Sequence, residues 1–448
     1  MKRPIIKRPI IRFAAARQTP ADTPGTAATD DEVLGRVVSA LNDETPEGPP
    51  EPAAERSDPN AHDTNSPPAP GGAGNTTNTD HLTMLRDRAS AFWQDWANLR
   101  PFALATLTPV PFMLFGAFFG GFWALLSLLI LTVLVPVLDR LMSLPEAAPP
   151  TKDDLERADR LSVFLAISHF VLMLIAVHAL SGGSGLGFFA WIAVFFSFGL
   201  WFGQVSNANA HELIHRSDRR LFRWGMWVYV SLLFGHHTSA HRLIHHRHVA
   251  TSDDPNTAAS GESFYAFAPR AWWQACRAGY AAESKRRDSR NTDRLFDLHP
   301  YAVYIGGAML CLMVVTTAFG GFGLLAYLAL CAHAQVQLHL SDYVQHYGLL
   351  RQRTPEGDVE PAGPQHSWNA AHPVSSLMML HAPRHSDHHS HPSRPYPALA
   401  KPRKDDAPNL PFSLPVMGAI ALVPPLWFRV MDTRLAELRP DRWSKPIV

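Results

Sequence analysis

The chain is short of three things, and each shortage removes a class of protein. Cysteine is scarce: Cys276, Cys311 and Cys331 are odd in number and form no CxxC, which argues against a disulfide framework or a thiolate metal motif. Two of them lie in apolar runs, where a small thiol packs as an ordinary core residue. Charge imbalance is also missing: 40 Lys and Arg face 39 Asp and Glu, so the net charge of +1 gives no reason to expect a nucleic-acid or acidic partner. Finally, several long stretches carry no charge at all. Phe102 to Leu138 runs for 37 residues without one, which a soluble core does not require. The start of the chain is lacking in the opposite sense. Residues 1–85 are rich in Pro, Ala, Thr, Asp, Asn and Gly and hold few apolar residues after Leu41, too few to offset chain entropy, so a disordered polar tail is expected. Its first segment, MKRPIIKRPIIRF, alternates basic and apolar residues without the unbroken apolar core of a secretory signal; contact with an anionic membrane surface and a solvated basic start both fit.

What is present after the tail is a set of paired apolar runs, expected to form one membrane domain over 86–448. At about 1.5 Å per helical residue, the run from Phe102 to Leu138 covers nearly two crossings of a ~30 Å hydrocarbon layer, and Gly120 and Gly121 mark the turn of a helical hairpin. Leu161 to Leu180 and Leu186 to Val205, separated by SGGSG, predict a second hairpin. Tyr301 to Phe319 and Phe322 to Leu338, divided by Gly320 and Gly321, predict a third. The expected fold is thus an all-α integral membrane protein, a bundle of six transmembrane helices. Arg216, Arg219, Arg220, Arg223, Arg247, Lys285 to Arg287, Arg351 and Arg353 fall between hairpins, and the positive-inside rule assigns that side to the cytoplasm of an inner (plasma) membrane protein. Trp224 to Phe234 is too short to span, and Leu410 to Phe428 is interrupted by prolines; both are expected at the interface or packed on the bundle.

Histidine is the composition's outlier, with 19 of the 23 lying between His211 and His391. His211-Glu-Leu-Ile-His215 follows the fourth run directly, and on a helix positions i and i+4 project both imidazoles from one face, where they can chelate a metal. In His241-Arg-Leu-Ile-His245-His246 the spacing pairs His241 with His245 and turns His246 about 100° away, free to reach a second metal. In Arg384-His385-Ser-Asp387-His388-His389, His385 shares a helical face with His388 or His389. Eight imidazoles exceed the four that a tetrahedral zinc takes, so two adjacent ions are the economical reading, with His346 of Asp-Tyr-Val-Gln-His346-Tyr347-Gly348 as the ninth donor. Imidazole suits Fe, Zn, Cu and Ni alike; iron follows only if the site attacks an unactivated C–H bond with dioxygen, which a site at the mouth of a greasy bundle suggests and zinc cannot do. Glu212, Asp387, Asp342 and Glu262 are candidate acceptors for the second N–H of these rings. His169, His178, His333 and His339 sit within the runs and are expected to pack internally. His236, His237, His248, His381 and His391 flank the boxes and are expected to orient them or meet solvent.

HELIH, HRLIHH, HYGL and RHSDHH in this order resemble the membrane-bound alkane 1-monooxygenase (alkane hydroxylase) family of the fatty-acid desaturase superfamily. The resemblance runs from about Phe102 to Asp432, with softer matches at Val249 to Thr257, Gly261-Glu262-Ser263, Trp368-Asn369 and Pro424 to Asp432. It implies a non-haem di-iron centre of two Fe ions held by His211, His215, His241, His245, His246, His346, His385, His388 and His389. It further implies hydroxylation of a terminal methyl group of a lipophilic n-alkane with dioxygen and electrons from rubredoxin. The chain itself holds no pair of CxxC motifs, GxGxxG fingerprint or haem signature, so rubredoxin and rubredoxin reductase are expected as separate proteins. Around the nine histidines the pattern departs from the family: Ala240 replaces Glu, Ile244 Gly, Asp342 Asn, Gln345 Glu, and Ala382-Pro383 Leu-Gln. A fatty acyl desaturase or xylene-type methyl monooxygenase would use the same metals. An intramembrane zinc protease built on HELIH alone would leave most of the histidines without a task.

Overall fold

The computed structural model describes residues 96–145, 148–289, 298–353, 358–401 and 407–438. The expected tail over 1–85 lies outside them. Among the described residues every regular element is a helix, and pairing of extended backbone is limited to isolated bridges such as Ala258 with Tyr347 and Asn369 with Asn409.

Five helices are long and apolar enough to cross a membrane: α1 Arg100–Phe119, α2 Gly121–Leu141, α3 Lys152–Gly183, α4 Phe188–Ile214 and a 47-residue element Pro300–His346. The first two are joined where the sequence suggests. Gly120 and Gly121 have φ of 63° and 50°, a region open to glycine at no steric cost, and a methyl group on Gly116 would come within 2.8 Å of the Ala124 Cα, so the two helices meet backbone to backbone. α3 begins well before its apolar run because Thr151 and Asp154 form a capping box, Thr151 Oγ1 accepting from Asp154 N and the Asp154 carboxylate accepting from Thr151 N. α4 likewise outlasts its apolar run and carries the first histidine pair at its C-terminal end. Between them the surfaces of these helices expose Phe119, Phe122, Phe164, Phe188 and Phe189, as helices facing hydrocarbon do.

The 47-residue element is not one rod. Straight, it would be about 70 Å long, more than twice a ~30 Å hydrocarbon layer. Its backbone leaves the helical region at Gly320 (φ 68°, ψ −164°), and both halves then return to the same neighbour. A methyl group on Gly307 would meet the Trp227 ring at 2.6 Å, and one on Gly235 would meet Tyr304 at 2.8 Å; from the other half, Tyr327 donates to the Ser231 carbonyl and Gln335 to that of Leu232 at 2.8 Å. The element is a hairpin, here α8a (300–319) and α8b (321–346).

The remaining helices close the end at which α4 and α8b finish. They are α5 Arg219–Ser231, a run over 237–248 (α6), α7 Phe264–Asp288, α9 Pro373–Met378, α10 His385–Ser390, α11 Leu414–Ala421 and α12 Pro424–Leu438. Leu410 to Phe428 is accordingly divided between two short helices, and Leu414, Met417, Ala421 and Trp427 are buried with Leu340, Val344 and Tyr347 in a second core behind α8b. Asp139, at the end of α2, accepts from the Val374 and Ser375 amides at 2.8 and 2.9 Å and thereby pins α9 to the bundle. α5 lies directly on the histidine-bearing end of α4, where an added methyl at Gly225 would sit 2.7 Å from the Ala210 carbonyl and 2.8 Å from Leu213 Cβ. Gly225→Leu is therefore expected to force these helices apart at a cost of about 1–3 kcal/mol, seen as a lower thermal unfolding midpoint of the detergent-solubilised protein.

Candidate metal centre

Four segments far apart in sequence deliver nine imidazoles to one place, in two adjoining groups. His211, His215, His241, His246 and His388 form the first; His245, His346, His385 and His389 the second; within each, the candidate ligand atoms lie within 4.8 Å of one another. The groups touch, since the His246 and His389 ring centroids are 4.6 Å apart.

His211 stands on the last turn of α4 and His215 is the residue that caps it, so the two share one face as their spacing predicts. The second box is assigned differently from expectation. His241 joins His246 in the first group, while His245 turns to the second. The cause is local: 241–245 is a π-turn inside α6, and its wider turn brings residue i+5 round toward the face that i+4 holds in an α-helix. In α10, His385 and His389 take the i, i+4 face into the second group and His388 points into the first. His346 stands on the last turn of α8b.

The nitrogen geometry tests whether metal fits. In the first group Nε2 separations are 2.8 Å for His211–His241, 3.0 Å for His241–His246, 3.1 Å for His215–His246 and 3.2 Å for His246–His388. In the second they are 2.9 Å for His346–His385 and 3.1 Å for His385–His389. A single ring nitrogen carries either one proton or one lone pair, so the His246 Nε2, which faces three others, cannot satisfy them all by hydrogen bonding. A cation can satisfy them. Nitrogens about 2.1 Å from a common ion lie roughly 3.0–3.4 Å apart, close to these separations, so the donor set fits a metal. His245 Nε2 is buried without a partner among the described residues and faces the rings of His346 and His389. Burial, reinforced by neighbouring imidazoles, pushes His241, His246, His385, His388 and His389 well below the ordinary range, leaving them neutral and able to donate a lone pair. His245 differs. Burial again lowers it, but Asp254 outweighs this and lifts it above the ordinary value.

The carboxylate that matters here is one that spacing does not single out. Asp254 Oδ2 accepts from His245 Nδ1 at 2.9 Å and from Thr257 Oγ1 at 2.7 Å, while its Oδ1 accepts from the Asn256 amide. The four suspected carboxylates do other work. Glu212 accepts from the Tyr396 amide and pairs with Arg216, Asp387 with Arg394, Glu262 with Arg270, and Asp342 accepts from Asn256 Nδ2 at 2.6 Å. Asp254 lies in the Val249 to Thr257 segment, one of the softer matches, and that was its only signal. Trp368 and Asn369, another such match, join the third and fourth segments. The Trp368 Nε1 donates to the Tyr347 carbonyl at 2.9 Å, and Asn369 holds the start of α10 by accepting from Ser386 N and donating to Ser386 Oγ. Of the histidines expected to pack internally, His169 bridges Ser206 and Ser231 at 2.6 and 2.8 Å, His339 lies against Phe234 and Phe267, and His333 packs edge-on against Phe195 and Phe196 while also bordering a cavity. Among those flanking the boxes, His381 bonds Ser376 and His391 pairs with Asp387.

That cavity, of about 580 Å³, runs from the histidines along α4 and α8b and is mostly apolar, with Leu128, Leu131, Phe196 and Leu200 on one side. His211 of the first group and His385 of the second both line it.

Helices apolar enough to span a membrane, a histidine-built site able to hold metal and an apolar cavity meeting that site describe a class, the membrane proteins with polyhistidine metal centres. Comparison narrows it. The family model for fatty acid desaturase matches residues 186–421, just over half of the chain and all nine imidazoles. Among curated relatives, alkane 1-monooxygenase 1 of Alcanivorax borkumensis is 33% identical over 323 residues, covering 70% of this chain and 78% of the relative. Alkane 1-monooxygenase of Pseudomonas putida is 32% identical over 337 residues, covering 72% and 81%, and that of Acinetobacter baylyi is 31% identical over 315 residues, covering 69% and 76%. The chain belongs to the fatty acid desaturase family and, within it, to the alkane 1-monooxygenases.

Partners of ligating imidazoles typically contribute 10- to 100-fold to metal affinity. Asp254→Ala is therefore expected to weaken metal binding by about that factor, measured by competition with a chelator, while Asp387→Ala, whose partners Arg394, His391 and the Ala400 amide all lie outside the nine imidazoles, leaves it within about threefold.

Proposed function

We propose that the protein is a non-haem di-iron monooxygenase that converts the terminal methyl group of an n-alkane to a primary alcohol. The nine imidazoles His211, His215, His241, His245, His246, His346, His385, His388 and His389 are the ligands, divided between the two ions as the two groups divide. The observation that carries the reading is the cavity: its apolar walls lead to one histidine of each group, His211 and His385, so a hydrocarbon lying in it presents its end to both. Fully balanced, one dioxygen, two electrons and two protons give the alcohol and one water. The bound ions supply the redox chemistry by which dioxygen is used.

The chain's own residues contribute positioning and exclusion. Leu128, Leu131, Phe196 and Leu200 give an extended alkyl chain the burial it lacks in water, about 0.8 kcal/mol per CH₂. The same walls keep bulk water from the reacting end. Asp254 holds the His245 ring in the tautomer that leaves Nε2 free to donate. Glu212 is committed to Arg216 and the Tyr396 amide, which removes the water-activating carboxylate that a HELIH zinc protease needs.

Six spans follow from the five apolar helices once the 300–346 hairpin is counted as two. With the arginines of 216–223 and Arg247 beside the site, the positive-inside rule places it at the cytoplasmic face of the inner membrane. Rubredoxin, reduced by its reductase, would deliver electrons there, since the sequence carries no rubredoxin-like pair of CxxC motifs, GxGxxG fingerprint or haem signature. The domain responsible is 86–448, with 1–85 as a separate polar tail.

Metal analysis and a labelled-oxygen assay test this reading. The purified protein with octane or dodecane, rubredoxin, rubredoxin reductase, NADH and ¹⁸O₂ is expected to hold about two irons per chain and release a 1-alkanol carrying one label. One zinc per chain and no oxygenated product would overturn it. His388→Ala is expected to lose iron and to drop turnover on the order of 100-fold or more while still inserting in the membrane; turnover at the wild-type rate would remove His388 from the ligand set.

A further inference from the structure

The cavity has a polar stripe that a plain hydrocarbon cannot hydrogen-bond. His333, Gln337, Ser341 and Gln345 follow one another at four-residue spacing down α8b, and Gln204 and Asn207 face the same space from α4. The members nearest the histidines are committed to the protein. Ser341 Oγ donates to Gln345 Oε1 at 2.7 Å, Gln345 Nε2 to the Ala382 carbonyl at 3.4 Å, and Asn207 Nδ2 to the Gly203 and Ala334 carbonyls at 3.0 and 2.9 Å. Gln204 is different. It is 8% exposed, and its Oε1 is buried with no partner among the described residues, although the side chain lines the cavity.

Room for this stripe is made by leaving side chains out of the facing helix. Gly199 and Gly203 stand one turn apart on α4 opposite His333 and Gln337. A methyl group at Gly199 would come within 2.6 Å of the His333 ring, and one at Gly203 would overlap Gln337. An apolar wall would be filled with less desolvation by leucine, and an amide left unpaired in such surroundings is destabilising. The Gln204 side chain borders the cavity although its Oε1 is itself covered, so a hydrogen-bonding group on the bound molecule would meet the accessible end of the amide and let the side chain settle against it. Among the described residues no Lys or Arg lines the cavity and Asp342 does, so an anionic group is disfavoured and an uncharged one fits. Gln204 precedes His211 by seven residues and Gln337 precedes His346 by nine, or about 10 and 13 Å along their helices, a span matched by roughly eight to eleven carbons of an extended chain.

We propose that the preferred substrate is an alkyl chain carrying one uncharged hydrogen-bonding group, a hydroxyl or an ester carbonyl. Gln204, Gln337 and His333 hold that group, and the methyl end reaches the histidines. The fate of the methyl end rests on the hydroxylase reading; the binding preference does not.

The test uses the full chain in lipid nanodiscs with dodecane, 1-dodecanol, methyl undecanoate and dodecanoate. Binding is followed by the shift in thermal unfolding midpoint of the metal-loaded protein without electron donors, and turnover by product analysis of the same protein with them. The alcohol and the ester are expected to bind about tenfold tighter than dodecane, with dodecanoate weaker than either, and Gln204→Leu and Gln337→Leu are each expected to shrink that preference several-fold. Equal affinity for dodecane and the two decorated chains in the wild-type protein overturns the proposal without any variant. So does an undiminished preference in both leucine variants. Hydroxylation of dodecane with no preference removes this proposal and leaves the hydroxylase; preferential binding with no oxygenated product from any chain keeps it and removes the hydroxylase.

Discussion

Nine lone-pair-bearing rings crowded out of water is the constraint on which the rest of this structure depends. Around His246 three Nε2 atoms stand 3.0–3.2 Å from a fourth, an arrangement that neutral imidazoles cannot satisfy among themselves. Such a cluster would relax apart unless its backbone were held, and the chain holds it from every side. Gly225 lets α5 sit flush on the end of α4, Asp254 grips His245, and Asn369 anchors the start of α10. Tyr347, next to His346, donates to Asp432 at 2.8 Å and accepts from the Gly261 amide at 2.8 Å. A methyl on Gly348 would meet Leu435 at 2.5 Å, which is why α12 can close over this turn. The segments that resemble alkane 1-monooxygenases outside the histidine boxes are largely these clamps.

The bundle below the site answers a different demand. Its helices must cross hydrocarbon and still leave a space long enough for a chain-like molecule, so the packing is tight where glycine allows contact, as at Gly116 against Ala124, and open along the faces of α4 and α8b that border the cavity. Relatives carry names of enzymes that act on alkanes, which have no polar atom. Here the cavity wall includes Gln204 and Gln337, and the departures at Asp342 and Gln345 fall on the same helix, close to the histidines.

Much of this is legible in the sequence because its causes are local. Hairpin turns show as Gly120-Gly121 and Gly320-Gly321, where positive φ has no other cheap occupant. The clustered histidines show because i, i+4 spacing is a property of any helix. Lengths were harder: α3 extends to Lys152 through a polar capping box and α4 to Ile214 past its apolar run, so hydropathy alone cuts both short. The exchange of His245 and His246 between groups was hidden, because HRLIHH carries no mark of a π-turn; that geometry is imposed by neighbours, not by propensity. Asp254 was hidden for a related reason. Nine residues beyond His245, it returns to that ring only because the 249–257 loop folds back, and among several nearby acids nothing in composition prefers it.

Gly320 also bears on the order of events as the chain is made. Four of the nine rings lie behind α8, on the C-terminal side of its hairpin or at its very end, and none can meet the other five until the chain has turned at Gly320 and α8b has packed back on the bundle. A ribosome that has released only as far as His246 has produced a histidine cluster with an incomplete shell, attractive to any divalent ion in the cell. Fidelity of metal choice then depends on time as well as on chemistry: the interval between synthesis of His246 and arrival of His389 is the window in which the wrong ion could enter.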